Sequence, residues 1–188
     1  MTIEQMTAKL KENLLEKRFN HSIGVMNTAV EMARKYGADE HKAAIAGLLH
    51  DCAKNYSADE MFALCREYGI ELDDIMRKAT GLIHGLLGAE VAKREYGVDD
   101  EDIYDAIYYH TVGKPNMSLL TEIIYIADGI EPLRHYYGVD MIRHLVDENL
   151  DRALVLQIDY TIKSVLSKGG LLHTNTVDTR NYYLEKIR

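Results

Sequence analysis

The segment Ala43–Lys54, AAIAGLLHDCAK, runs from an apolar stretch directly into an adjacent imidazole and carboxylate, His50 and Asp51. Asp39 can cap a helix that carries this stretch to about Cys52. Adjacent residues on a helix point about 100° apart, so His50 and Asp51 cannot both face a core. At a helix end, both can reach one ion, one through a ring nitrogen and one through a carboxylate oxygen.

The same anomaly recurs outward from this segment. Of the eight histidines, His21 (RFNHSIGV), His84 (GLIHGLLG), His110 (AIYYHTVG) and His173 (GGLLHTNT) also lie in apolar or near-apolar contexts, and Asp128 sits in IIYIADGIEP. A buried ionised carboxylate needs a partner or a metal. Taken singly, each histidine is more often a hydrogen-bonded core residue than a ligand, and Asp128 alone could bond a backbone N–H at a helix end. One ion satisfies the groups together. His21 from a preceding helix, His50 and Asp51, and Asp128 from a later helix would make a site with positions open for water and substrate. Imidazole and carboxylate donors without thiolate suit divalent iron, manganese, cobalt, nickel or zinc, and disfavour a structural zinc site. His41, His135 and His144 lie beside charged residues and read as surface groups.

Around these residues the periodicity is helical, and strand-type alternation is almost absent. Gly37 ends a helix over Ala29–Tyr36. Ser57 opens a capping box with Glu60 for a helix reaching Tyr68. Thr80–Tyr96, Asp99 or Asp100 to about His110, and Ser118–Asp128 follow. Ile142, Leu145, Val146, Leu150, Ala153, Leu154, Ile158, Ile162, Val165 and Leu166 mark one long amphipathic helix ended by Gly169–Gly170. The expectation is a single all-α domain over residues 1–188, with a metal core at about 18–135 and C-terminal helices over 139–188.

The ordered set His21, His50–Asp51, His84, His110 and Asp128 resembles the H…HD…H…H…D pattern of the HD superfamily of metal-dependent phosphohydrolases. RFNHSIGV, LLHDCAKN, YHTVG, IADGIEPLR and LLHTNTVDTRNYY further resemble its YqeK-type bacterial branch, the symmetrical hydrolases of diadenosine tetraphosphate. The likeness extends from Arg18 to about Tyr183. It implies an HD fold, ferrous iron on His21, His50, Asp51 and Asp128, and cleavage of a dinucleoside polyphosphate into two ADP. It also implies that His84 and His110 hold a second metal or the phosphate.

The expected chemistry is attack on a phosphoanhydride by hydroxide formed at the metal. Asp51 would also orient the attacking water. Arg18 and Lys54 lie one turn from the ligands and would hold phosphate with His21, Asp51 and His110. Arg134 joins them chiefly on the resemblance. Lys54, His84 and His110 join Asp51 as catalytic candidates. His173, Thr179 and Arg180 come from the late polar segment after Gly169–Gly170, which suits a loop over a ligand, although Thr176 or Asp178 could instead begin a terminal helix. Other readings are an HD phosphohydrolase of another nucleotide and a non-catalytic nucleotide-binding module, for which the thirteen tyrosines could supply a surface.

Composition narrows the field. The 188 residues carry a net charge of −8, which disfavours non-specific nucleic-acid binding. No apolar run approaches the roughly 18–20 residues of a membrane span. Cys52 and Cys65 fit no zinc spacing and suit a reduced cytoplasm. A two-fold homodimer is the default assembly.

Overall fold

The computed structural model describes residues 1–188 as an all-α protein with no strand. Its helices are α1 (Ile3–Asn13), α2 (Glu16–Tyr36), α3 (Glu40–Leu49), α4 (Ala58–Tyr68), α5 (Asp74–Lys78), α6 (Ile83–Tyr96), α7 (Glu101–Tyr109), α8 (Leu119–Ile130), α9 (Val139–Glu148), α10 (Leu150–Ser167) and α11 (Thr174–Lys186). A single 3-10 turn, Thr80–Leu82, leads into α6. None of these helices is long and apolar enough to cross a membrane.

The centre of the molecule is α3. Every residue from Ala43 to Leu49 is buried. A helix that is apolar all round must be covered all round, and α1, α2, α7 and α8 pack against it. The apolar helix α8, buried at Leu120–Ala127, closes the same block against α2, α7 and α10. One connected core of 46 buried residues runs from Met6 to Tyr183.

Helix ends follow the side-chain chemistry. Asp39, Ser57, Asp100 and Ser118 each accept a backbone N–H at an N-cap, and Ser57 with Glu60 completes the expected capping box. Gly37, Gly69 and Gly97 close α2, α4 and α6. α2 begins at Glu16 rather than Ala29, which puts His21 well inside a helix.

The stripe from Ile142 to Leu166 is not one helix. It breaks at Asn149, whose backbone is extended (φ −159°, ψ 111°). The Asn149 carboxamide oxygen accepts the Arg152 N–H at 2.9 Å and so caps α10, competing with continuation of α9. Helices α9 and α10 then pack on each other. Asn149→Ala should therefore cost about 1 kcal/mol in denaturant unfolding. A gain in stability would mean that continuous helix is the preferred state there.

The late polar segment is also helix rather than loop. His173 is the N-cap of α11, its Nδ1 accepting the Asn175 N–H at 3.1 Å. The apolar side of α11 is thin but sufficient to dock it, with Tyr183 fully buried and Thr176 and Thr179 beneath it.

Candidate metal centre

Three helices bring the expected ligands together. His21 comes from the second turn of α2, His50 and Asp51 from the C-terminal end of α3, and Asp128 from the last turn of α8. His21 Nε2 lies 3.0 Å from Asp128 Oδ1 and 3.3 Å from His50 Nε2. His50 Nε2 lies 3.6 Å from Asp51 Oδ2 and 3.8 Å from Asp128 Oδ1. Two donors each about 2.1 Å from an ion and at right angles to one another stand about 3.0 Å apart, so these spacings are those of a ligand set.

Hydrogen bonding outside the set fixes which atoms face inward. His50 Nδ1 is 2.8 Å from the Gly47 carbonyl, which can only accept, so Nδ1 carries a proton and the neutral ring presents a lone pair at Nε2. His21 Nδ1 donates in the same way to Glu131 Oε1 at 3.0 Å. Bare nitrogen lone pairs and carboxylate oxygens packed together repel one another unless a cation lies among them. That donor chemistry fits a divalent metal.

Asp51 joins this set to a second one. Its Oδ1 lies 3.1 Å from His84 Nε2 and 3.7 Å from His110 Nε2. His84 Nδ1 and His110 Nδ1 each donate to a carbonyl three residues earlier, Gly81 and Ile107, both at 2.6 Å. Their Nε2 atoms are 3.1 Å apart. The donor atoms of Asp51, His84 and His110 thus form a compact triad beside that of His21, His50 and Asp51.

Burial opposes ionisation of Asp51, yet its carboxyl is held well below the usual range. Asp128 is likewise held low against burial, with the Arg134 guanidinium beside it as a cationic partner. Burial pushes His84 down to about 4, with Asp51 opposing. Lys54 is pushed down by burial, with Asp51 opposing.

The expected cations stand around the ligands. Arg18 donates to Asp51 Oδ2 at 2.7 Å, and Arg134 donates to the Asp128 carboxylate and, through Nε, to its carbonyl at 2.8 Å. Lys54 Nζ sits 3.0 Å from both ring nitrogens of His84. Arg18, Asp51, Lys54, His84, His110 and Arg134 all line one cavity of about 260 Å³. Thr111 shares its wall, and the Thr111 hydroxyl oxygen is buried without a hydrogen-bond partner in the protein.

His173, Thr179 and Arg180 do not line this cavity. His173 Nε2 pairs with Asp73 at 2.6 Å, Arg180 Nε donates to Asp159 at 2.6 Å, and the Thr179 hydroxyl donates to the Asn175 carbonyl at 2.6 Å. The His173 and Arg180 pairs secure α11 to its neighbours, and the Thr179 bond lies within α11.

Sequence reasoning passed over Glu131. It is 1% exposed, accepts from His21, and its Oε2 also accepts the Leu133 N–H at 2.7 Å. Its signal was the i+3 spacing from Asp128 in ADGIEP, masked by the Pro132 that follows. Gly24, one turn after His21, makes room for it: a Cβ at Gly24 would fall 2.6 Å from Glu131 Oε2. Both Gly24→Ala and Glu131→Gln should weaken metal binding by roughly 10–100-fold in a titration. Unchanged affinity in both would remove Glu131 from the support of His21. Gln157 and Thr161, on the cavity wall from α10, were also passed over. Gln157 is a polar residue within the apolar stripe, the same kind of signal that revealed the histidines.

An HD-domain family model matches residues 18–133, and the chain belongs to the HD-domain family. Among curated relatives it is 41% identical over 182 residues to the symmetrical bis(5'-nucleosyl)-tetraphosphatase of Bacillus subtilis, covering 97% of each chain. It is 41% identical over 175 residues to the protein of the same name from Halalkalibacterium halodurans, covering 93% of each. Among solved structures, a Clostridium acetobutylicum protein described as a predicted HD superfamily hydrolase involved in NAD metabolism superposes with a TM-score of 0.95. It is 49% identical and the match covers 99% of this chain and 98% of that one.

Proposed function

We propose that this protein hydrolyses diadenosine tetraphosphate symmetrically to two ADP, with a divalent metal, ferrous iron as the family resemblance implies, held by His21, His50, Asp51 and Asp128. The observation that carries the reading is the convergence of two imidazole pairs on one carboxylate inside a cavity walled by cations. The names of the curated relatives support the same substrate.

When bound, the metal lowers the pKa of a coordinated water and polarises a phosphoryl oxygen. The chain's own groups supply the rest. Arg18 and Arg134 stand where the non-bridging oxygens of a polyphosphate would lie and offer planar forks to them. Lys54, half-desolvated beside His84, adds a compact positive charge to the developing charge on the leaving phosphate. Asp51 orients the attacking water with the oxygen it turns toward His84 and His110.

The second triad favours a further cation over direct contact with phosphate. The Nδ1 protons of His84 and His110 are committed to carbonyls, so the neutral rings offer only lone pairs at Nε2. A phosphate oxygen would be repelled there and a cation would not. Cys52 and Cys65 are free and buried, which suits a reducing compartment, and we assign the reaction to the cytoplasm.

Product analysis tests the assignment. Protein purified without oxygen, its metal content measured, should convert the dinucleotide to ADP alone. ATP and AMP as paired products would refute symmetrical cleavage, and hydrolysis of other nucleotides with no action on this one would reassign the substrate.

A further inference from the structure

The cavity around the metal centre continues on both sides of Arg134, into two grooves of different chemistry. The first, about 680 Å³, shares Asp128, Arg134, Gln157 and Thr161 with the cavity and is walled by Tyr136, Tyr137 and Tyr160. The second, about 710 Å³, shares Arg18, Lys54 and Arg134 with the cavity and adds Lys17 and His135.

The aromatic groove is built rather than incidental. Tyr136 donates its hydroxyl to Gln157 Oε1 at 3.1 Å and meets the Tyr160 ring edge-on, centroids 6.0 Å apart. Gly138 has φ +95°, and a Cβ there would lie 2.0 Å from the Tyr160 hydroxyl, so the loop carrying Tyr136 and Tyr137 presses directly on α10. Lys163 Nζ lies 5.4 Å from the centroid of the Tyr160 ring. Tyr137, at the rim, is 92% exposed. A large exposed aromatic over a groove open to a reaction cavity has the properties of a stacking platform for a base, with its hydroxyl left in water.

We infer that the tyrosine-walled groove seats one nucleobase by stacking, and that the cationic groove across Arg134 holds the phosphates of the other half, so that a second nucleoside is not required for cleavage. This rests on the nucleotide-hydrolase reading above and extends it to a further activity, hydrolysis of a nucleoside 5'-tetraphosphate that carries a single nucleoside. In that reaction the oxygen of water bonds to phosphorus and the bridging bond between the second and third phosphates breaks. The bonding pair leaves with the bridging oxygen, and the protons of the water pass to the products and solvent. Adenosine 5'-tetraphosphate and water thus give ADP and pyrophosphate.

The test uses the metal-loaded full chain with diadenosine tetraphosphate and adenosine 5'-tetraphosphate side by side. The wild type should cleave both, with kcat/KM values within about tenfold of each other. Tyr137→Ala should raise KM for both roughly tenfold, the loss expected for one base stack, with kcat and bound metal within about twofold of wild type. Because Tyr137 is so exposed, its truncation leaves the packing intact, and Tyr160→Ala gives a second reading of the same wall. A preparation that cleaves the dinucleotide but not adenosine 5'-tetraphosphate overturns the inference alone, as do unchanged KM values in both tyrosine variants. Inactivity on diadenosine tetraphosphate overturns the underlying hydrolase reading and this inference with it.

Discussion

Asp51→Asn should lose its bound metal and its turnover together. The substitution keeps the shape of the side chain and removes its charge. One oxygen of Asp51 faces the His21–His50 pair and the other faces His84 and His110, so a neutral amide weakens both donor groups at once. Arg18 also loses its carboxylate partner at 2.7 Å and is left to compete for the same space. Removing the stabilisation that a metal gives to developing charge, several kcal/mol, lowers the rate by roughly a thousandfold or more. The fold should survive, because a buried charge is exchanged for a neutral group, and sites of this kind are held at the expense of stability. Metal analysis and product analysis on one preparation decide the matter. Turnover retained by a metal-free Asp51→Asn protein would refute the assignment of the centre.

Stripping the metal from the wild-type protein should lower its melting temperature by about 10 °C. An ion that binds the folded chain alone at about 100–1,000 times its Kd stabilises it by about 3–4 kcal/mol. For a chain of this size each kcal/mol is worth about 2–4 °C. The structural reason is the inward-facing set of lone pairs. His21 and His50 have their Nδ1 protons bonded outward, so without an ion their Nε2 atoms face each other at 3.3 Å and face carboxylates as well. Arg18 and Arg134 relieve part of that repulsion by standing on Asp51 and Asp128. Calorimetry with and without chelator, followed by re-addition of metal, measures the effect. Equal melting temperatures in the two states would show that the ligands are not preorganised for an ion.

Much of the centre was legible before any fold was known, because polar groups in apolar segments are costly and therefore conspicuous. His21, His50, His84, His110 and Asp128 each interrupt such a segment, and each lines or supports one site. The same logic also singled out His173, which the fold pairs with Asp73 at the start of α11. An apolar context marks a residue as buried without saying what it is buried against. The break at Asn149 was missed for a related reason. A hydrophobic stripe reports the face that is covered, and two helices meeting at a cap can carry the same stripe as one.

Local chemistry in the chain determined the helical class, most helix ends and the candidate metal donors, since caps, periodicity and donor type depend on neighbours a few residues away. Only the tertiary structure decided that Asp51 bridges two imidazole pairs, that Glu131 rather than solvent holds His21, and that Arg134 divides an aromatic groove from a cationic one. These are relations between helices far apart in sequence, and they exist because α3, apolar on every side, must be enclosed, which draws α2, α7 and α8 and their polar ends to one point.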